Sequence, residues 1–455
     1  GGYAGMANTT GDYNVAIGSG SASLLGALQT NAVGDYNIAI GTGALGTANE
    51  NDNDGTVAIG HLACKVQAGT GGAQFANATT AVGYKALTAL TTGKNNTAVG
   101  YQAGLAITAG SKNTVMGYQA FASANADEYD NVAIGYQAMK AVDDDGSDDN
   151  ICIGSMAGFG GGALMKGCIA IGTQAMVETG TNAQTGTVAI GYNVLKSLTT
   201  GAGNTAVGYR AGASLTSGDG DNTFIGFDAG RLLLTGAENT IMGYEAFDAA
   251  DGSESYNVVI GRSAMGAVND NGSHSNVAIG GGALGGGAAA VVSCIVIGRN
   301  AMDGTATNAQ TGTIAIGDNA LSELTTGAGN VAVGYTALST TTIGDRNMAI
   351  GYGAMDDTND TFTDSVRDSD ITGTGTTVIM DGANTDLSVG MGVTAATGVI
   401  PVGTKIDSVT STSDPATFEL DTNMTATLAA DTVLTFSGCL AADDNMFIGY
   451  NAGGG

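Results

Sequence analysis

Catalytic side chains are scarce in this chain of 455 residues. His61 and His274 are the only histidines, and each lies beside or within a loop between short apolar runs. Acid–base and nucleophilic catalysis need a base held close to a nucleophile. Neither histidine is accompanied by a nucleophile-elbow motif or by a glycine-rich phosphate loop after a strand. The sequence therefore predicts that the protein is not an enzyme and holds no cofactor.

Aspartates cluster in several loops, and carboxylates are the ligands that Ca²⁺ prefers. The segment DDDGSDDN at 143–150 brings Asp143, Asp145, Asp148 and Asp149 close together in sequence. It lacks the spacing and terminal Glu of an EF-hand, and the GGxGxD repeat of calcium-binding β-rolls is absent. We interpret these stretches as solvated loops, with a Ca²⁺ site at 143–149 as the alternative. The other clusters are Asp52–Asp54, Asp219–Asp221 and Asp356–Asp364.

The cysteines are odd in number and show neither CxxC spacing nor a histidine partner at metal-ligand spacing. This pattern favours small, buried hydrophobic side chains and does not indicate a redox compartment. The five residues are Cys64, Cys152, Cys168, Cys294 and Cys439.

The formal net charge is −28. Such an acidic chain is repelled by nucleic-acid phosphates and by anionic membrane surfaces. Its hydrophobic content of 43% is too high for a disordered acidic chain. The best apolar run, Ala288–Ile297, is about half of the roughly 20 residues that a membrane-spanning helix needs. Because the chain opens on Gly1 and stops within a repeat, we expect it to be a segment of a longer protein.

One repeat accounts for most of the chain. A short apolar run ends on a glycine nineteen times between Gly18 and Gly351, mostly at spacings of 17 to 19 residues, and once more at Gly449. A regular period of this kind indicates stacked structural units. We number each coil from this glycine, which is position 0. The nineteen glycines are Gly18, Gly41, Gly60, Gly83, Gly100, Gly117, Gly135, Gly154, Gly172, Gly191, Gly208, Gly226, Gly243, Gly261, Gly280, Gly298, Gly317, Gly334 and Gly351.

The positions around the glycine predict a short strand and a turn. Position −1 is Ile, Val or Met, and position −3 is Val, Ile, Thr or Met. These two share one face of a strand, because side chains alternate. Position −2 is usually Ala and points the other way, and Ala recurs at position +3, where small side chains let two layers approach closely. The fold class is therefore all-β, a parallel β-solenoid of about 18-residue coils.

Two further positions stand out. Position −4 is most often Asn, and stacked coils would join these amides into a hydrogen-bonded ladder. The alternative is a ligand-binding role. Position +1 holds ten of the 15 tyrosines, which predicts an aromatic stack, with a sugar-binding stripe as the alternative. The asparagines are Asn96, Asn113, Asn131, Asn204, Asn239 and Asn330, and the tyrosines include Tyr84, Tyr101, Tyr118, Tyr136, Tyr192, Tyr209, Tyr244 and Tyr335.

The strands are apolar on both faces, which is typical of strands that are covered on both sides. The return strand of an 18-residue coil can cover only one of these faces, so the other requires a further chain. We therefore expect a homo-oligomer with cyclic symmetry whose subunits share one core.

A longer period and one interruption divide the chain. Gly117 and Gly243 are 126 residues apart, and the steps that follow each of them are nearly the same. The predicted organisation has four parts. A solenoid spans 1–355 and contains a seven-coil duplication at 117–242 and 243–368, an acidic linker spans 356–368, a small inserted β-sandwich or barrel-like domain spans 369–440, and the solenoid resumes at 441–455.

Segments such as NNTAVGYQAG at Asn95–Gly104 and GNTAVGYRAG at Gly203–Gly212 resemble known repeats. The pattern Asn-x-Ala-Ile/Val-Gly-x-x-Ala resembles the head repeats of trimeric autotransporter adhesins, and it is similar to repeats in bacteriophage tail fibres. The resemblance implies a left-handed parallel β-roll formed by three chains. The coils here are longer than usual, and adhesin stalk heptads and a membrane-anchor barrel are absent from the sequence.

The resemblance implies a structural role in attachment. The inserted segment at Ile371–Gly438 resembles small β modules of phage structural proteins and favours a virion tail fibre, with other virion proteins and a host-surface polysaccharide or receptor as partners. A cell-surface adhesin or extracellular filament is the alternative. An ice- or carbohydrate-binding solenoid and a polysaccharide depolymerase are weaker alternatives.

Overall fold

The computed structural model comprises two compact units, Gly1–Ser255 and Tyr256–Gly455. The described residues up to 354 are 2–6, 10–20, 25–29, 34–47, 54–66, 77–124, 127–161, 164–180, 182–217, 220–287, 289–305, 309–341 and 344–354. Beyond them, residues 361–365, 377–379, 392–395, 400, 405–411, 417–420, 433–437 and 446–448 are described.

All regular elements of these residues are strands, and no helix occurs among them. The first unit contains β1 (Val15–Ile17), β2 (Ile38–Ile40), β3 (Val57–Ile59), β4 (Thr80–Val82), β5 (Thr97–Val99), β6 (Thr114–Met116), β7 (Val132–Ile134), β8 (Ile151–Ile153), β9 (Met165–Lys166), β10 (Ile169–Ile171), β11 (Gln184–Thr185), β12 (Val188–Ile190), β13 (Thr205–Val207), β14 (Thr223–Ile225) and β15 (Thr240–Met242). The second unit contains β16 (Val258–Ile260), β17 (Val277–Ile279), β18 (Val291–Val292), β19 (Ile295–Ile297), β20 (Gln310–Thr311), β21 (Ile314–Ile316), β22 (Val331–Val333), β23 (Met348–Ile350), β24 (Thr361–Ser365), β25 (Thr377–Ile379), β26 (Gly392–Ala395), β27 (Ile406–Ser411), β28 (Thr417–Leu420), β29 (Val433–Ser437) and β30 (Met446–Ile448).

The three-residue strands of successive coils stack in parallel and in register. In the first unit, β5 pairs with β6 and β6 with β7, so that each residue lies beside the residue at the same coil position. In the second unit, β17, β19 and β21 pair in the same way. The fold is therefore the predicted parallel β-solenoid, with about 18 residues per coil.

The residues after each glycine form turns, and the return strand expected from the sequence is absent from most described coils. Positions +2 and +4 have left-handed φ angles, 52° at Gln119 and 45° at Phe121. The Gln119 amide donates to Tyr101 O in the preceding coil, and the Phe121 amide donates to Ala138 O in the following coil, both at 2.8 Å. Because these turns bond both neighbouring coils, they replace a β-strand on this side. The described short strand pairs β9–β11 and β18–β20 lie elsewhere in the coil, directly before the main strands of their coils.

The hydrophobic core lies inside the coils at positions −2, +3, +4 and +7. In the coil of Gly135 these positions are Ala133, Ala138, Met139 and Val142, all at most 1% exposed. Alanine at positions −2 and +3 keeps the strand close to the turn, while the larger side chains at +4 and +7 fill the remaining space.

The interior volume is adjusted locally where position −2 carries a large side chain. Phe224 is fully buried, and glycine occupies position +4 of both its own coil and the preceding one. A Cβ added at Gly212 would lie 3.0 Å from the Phe224 ring, and one at Gly230 would overlap the ring. Glycine is therefore required here to accommodate the phenylalanine.

In the second unit, the coil stack continues beyond the interruption of the repeat, because β23 pairs in parallel with β30. Between them lie two antiparallel sheets, ordered β24-β29-β26 and β25-β28-β27. Strand β24 falls within 356–368, which the sequence assigned to an acidic linker. That assignment is corrected for these five residues, because the alternating β-formers of TFTDS pair with Val433–Ser437. The rest of that span, and most of 369–440 and 441–455, lie outside the described residues.

Candidate interaction surface

The backbone conformation of the position-0 glycine places the residues on either side of it, at positions −1 and +1, on the outer surface. Gly117 has a φ of 138°, a region that other residues avoid. A Cβ at Gly117 would also overlap the carbonyl oxygen of Gly135 and lie 2.7 Å from its carbonyl carbon. Glycine is therefore needed both for the backbone angle and for the close approach of successive coils. After this bend, positions −1 and +1 both lie on the outside.

Positions −3 and −1 form two apolar columns on this surface, which we call the outer columns. In β6 and β8 the middle residue is buried, whereas Met116 is 45% and Ile153 36% exposed. Neither position carries a charged residue in any coil from Gly18 to Gly351. A single chain thus covers only one face of its strands and leaves the outer columns half-exposed.

The tyrosines at position +1 form an aromatic column beside the outer columns. In the first unit, Tyr84, Tyr101, Tyr118 and Tyr136 are stacked with ring centroids 5.0–5.4 Å apart and ring planes within 10°. His61 extends this stack at 5.5 Å from Tyr84. A second stack contains Tyr192, Tyr209, Phe227 and Tyr244. In the second unit Tyr335 stacks on Tyr352 at 5.1 Å.

The asparagines at position −4 are buried and bonded from coil to coil. The Asn96 Oδ1 atom accepts from the backbone N (2.9 Å) and the Nδ2 (3.2 Å) of Asn113, and Asn131 repeats both bonds to Asn113. Each Nδ2 also donates to a carbonyl of the next coil, as Asn113 does to Glu128 O at 2.8 Å. These amides are used within the stack, which leaves them unsuited to a ligand.

The same pattern recurs at the other predicted asparagines, and it has gaps. Asn204 accepts two bonds from Asn222, which in turn accepts two from Asn239. In the second unit Asn330 Oδ1 accepts from the Asn347 amide at 2.9 Å. Asn is replaced in three places, at Thr56 with Thr79, at Cys168 with Thr187 and at Cys294 with Thr313.

A second amide ladder was not predicted from the sequence. Gln119 Nε2 donates to Gln102 Oε1 at 2.8 Å, and Gln137 Nε2 donates to Gln119 Oε1 at 3.1 Å. The recurrence of Gln at position +2 in three successive coils was the available signal.

The aspartates proposed as a Ca²⁺ loop lie at the surface. Asp145 and Asp149 are exposed, and Asp143 and Asp148 are half-buried. Asp148 is already engaged, since its Oδ1 accepts from the Tyr129 amide at 2.9 Å and its Oδ2 lies 3.6 Å from Lys166 Nζ. Within the described ranges no group of three or more His, Cys, Asp or Glu side chains is placed to hold a metal ion. Of the other clusters, Asp52, Asp219 and Asp356 lie outside the described residues.

The histidines and cysteines belong to no metal-holding group among the described residues. His274 Nδ1 lies 3.2 Å from Ser275 Oγ, and His61 takes part in the aromatic column. Cys64, Cys152, Cys168 and Cys294 are buried, and they form no disulfide with one another. Burial raises the pKa of the Cys152, Cys168 and Cys294 thiols, which disfavours the reactive thiolate. Cys439 lies outside the described residues.

A buried carboxyl group occurs at Glu254 in the first unit. Burial raises its pKa, and the Gly252 amide, which donates to Oε2 at 3.1 Å, only partly opposes this effect. Its other oxygen, Oε1, has no hydrogen-bond partner among the described residues. Glu128, which is also buried, lies 126 residues earlier at the equivalent place of the first block.

Comparison with known proteins gave no family model, curated protein or solved structure that matches the chain. In the part of the chain that the structure describes, no helix has the length and apolar character needed to span a membrane.

Proposed function

We propose that this chain is a structural fibre protein, the shaft of a phage tail fibre or a similar appendage that attaches to a host surface. The observation that carries the proposal is the pair of half-exposed outer columns, which run through the described coils of each unit. Contiguous exposed apolar patches larger than a few hundred Å² mark interaction surfaces.

The partner that best fits this surface is another copy of the same chain. The outer columns repeat at the spacing between coils, roughly 4.8 Å, and a second solenoid presents the same spacing and the same uncharged side chains. Parallel copies around a cyclic axis would cover these columns without bringing their acidic loops together. The number three rests on the resemblance to trimeric adhesin heads and phage fibres.

The coil-to-coil bonding suits a load-bearing shaft. Coils are tied to their neighbours by strand bonds and turn bonds, and most of them also by the amide ladder, so local loosening must break several buried bonds together. The antiparallel sheets between β23 and β30 would then present a lateral module for other virion proteins or a receptor. This role requires neither a catalytic group nor a cofactor.

Immunogold electron microscopy tests the role. Antibodies raised against a solenoid peptide should label tail appendages on virions that carry this gene. Labelling of a bacterial cell envelope instead would support the surface adhesin that the repeat also resembles. Signal confined to the cell interior would contradict both assignments.

A further inference from the structure

The aromatic column of the first unit contains a gap with aromatic walls. One stack ends at Tyr136 and the next begins at Tyr192, with Ser155 and Thr173 at position +1 of the two coils between them. These two coils keep the strand register, since β8 pairs with β7 and with β10. The gap is therefore two missing rings in an otherwise regular column.

The rings that border the gap differ from the rings within the stacks. An inner ring such as Tyr101 has neighbours on both faces and presents only its edge to solvent. Tyr136 and Tyr192 each have a stacked ring on one side only, so one face of each ring is directed along the column into the gap. Tyr136 is 50% exposed, compared with 42% for Tyr101, whereas Tyr192 at 44% is about as exposed as the inner Tyr118 at 45%.

The dimensions of the gap suit a ligand with two rings. Three coil steps separate Tyr136 from Tyr192, which corresponds to roughly 14 Å at the usual strand spacing. A ring stacked on each wall at roughly 4 Å leaves about 6 Å between the two bound rings. Two linked sugar units can occupy that space.

Polar groups without charge lie beside these aromatic walls. Thr173 is exposed and Ser155 half-exposed, and both carry hydroxyl groups. The glutamine ladder also stops here, because Met156 follows Gln137 at position +2. The Gln174 backbone N donates to Ser155 O at 2.9 Å, but Gln137 Oε1 and the side-chain amide of Gln174 have no hydrogen bond to a described residue. These groups match sugar hydroxyls, while the negative ring faces attract polarised C–H groups.

The duplicated block shows that the coil itself does not require this arrangement. Position +1 is Tyr in both blocks at the flanking coils, as in Tyr118 and Tyr244 or Tyr209 and Tyr335. At the four coils between them, every residue differs while the core positions remain apolar. Tyr136, Ser155, Thr173 and Tyr192 correspond to Arg262, Gly281, Arg299 and Asp318. The gap is thus a surface feature that can change without changing the coil.

We infer that the gap between Tyr136 and Tyr192 binds a neutral glycan segment, with one sugar ring against each wall. This inference rests on the proposed attachment role and gives that role a ligand class. A second copy of the chain is a poorer occupant, because an in-register assembly would place the same gap, not a ring, beside it.

Completing the column provides the test. In Ser155→Tyr/Thr173→Tyr the two stacks become one, so the variant should be at least as heat-stable as the wild-type chain while the gap is filled. Binding of cellohexaose, maltohexaose and chitohexaose to the full chain is followed by saturation-transfer NMR and by tyrosine fluorescence. The wild-type chain should bind at least one of them at millimolar concentration, and the filled variant should bind it about tenfold more weakly or not at all.

Variants that remove one of the two aromatic walls distinguish binding at the gap from a general change in glycan binding. Tyr136→Ala or Tyr192→Ala should each weaken binding, whereas Tyr101→Ala, inside a stack, should not. Failure of all three hexaoses to bind the wild-type chain, or equal binding by the filled variant, would overturn the inference. The native mass of each variant is measured alongside. If glycan binding is lost while the native mass is unchanged, the loss results from the change in the gap. A changed native mass would instead indicate an effect on the proposed fibre assembly.

Discussion

Replacing Asn113 by alanine removes a buried amide that is bonded in four directions. Its Nδ2 donates to Glu128 O at 2.8 Å and to Asn96 Oδ1 at 3.2 Å. Its Oδ1 accepts from the backbone N of Asn131 at 3.0 Å and from the Asn131 Nδ2 at 3.2 Å. Because Asn113 is fully buried, water cannot readily replace these bonds.

The expected loss follows from these four bonds. A net contribution of about 1 kcal/mol for each gives a loss of about 4 kcal/mol in the free energy of unfolding of this segment. Asn113→Thr is the matched control, because threonine occupies the same position at Thr187 and Thr313. Threonine fills more of the space than alanine, but the Thr187 and Thr313 hydroxyls have no hydrogen-bond partner among the described residues, so Asn113→Thr should lose about as much as Asn113→Ala.

Urea unfolding of the full chain, followed by circular dichroism, measures both variants. A solenoid unfolds by segments, so the curves need a nearest-neighbour fit, and hydrogen exchange at the Asn131 amide reports the local bond directly. A loss below about 1 kcal/mol for Asn113→Ala, with unchanged protection of the Asn131 amide, would refute the ladder as a stabilising element.

Three further predictions concern glycine, a buried carboxyl and the thiols. Gly117→Ala should lower the melting temperature more than Gly186→Ala does. Gly186 also has a left-handed φ, but an added Cβ there would have nothing within 4 Å. An equal decrease in melting temperature would contradict the close approach of successive coils at Gly117. Burial raises the pKa of Glu254, so the folded state keeps this proton to higher pH than the unfolded state. The contribution of Glu254 to the free energy of unfolding is therefore greatest below the ordinary glutamate pKa, and it falls as pH rises through the raised pKa. Glu254→Gln should make the free energy of unfolding, measured with urea at a series of pH values, depend less on pH. An unchanged pH dependence would contradict a raised pKa at Glu254. In a Cys439→Ser background, iodoacetamide should label the native chain only after unfolding, and rapid labelling of Cys152 or Cys168 would show that they are accessible.

The strand part of each coil could be predicted from the sequence because its constraints are local. Glycine at position 0 and small residues at −2 and +3 recur in nearly every coil, and in-register stacking then follows. The turn after the glycine could not be predicted, because its left-handed positions hold residues such as Gln119 and Phe121. Neither type normally signals a left-handed backbone. Bonding to both neighbouring coils stabilises this conformation, and that cannot be read from one coil alone.

The tyrosine and asparagine positions could be found in the sequence, but the structural effect of the coils that lack these residues could not. The gap at Ser155 and Thr173 is visible only as two missing tyrosines, and its aromatic walls become evident once ring stacking is known. The interior fit of Phe224 between Gly212 and Gly230 likewise depends on which coils adjoin. Strand β24 was missed because its acidic surroundings resemble a linker.

Sedimentation equilibrium of the full chain tests most directly whether copies of the chain cover the outer columns. The native species should have three times the chain mass of 44.6 kDa. Ile134→Glu/Ile190→Glu places charges in the outer columns and should shift the mass towards one chain, whereas Lys140→Glu, at a turn, should not. A single-chain mass for the wild-type protein at micromolar concentration, with the fold intact by circular dichroism, would contradict the shared core.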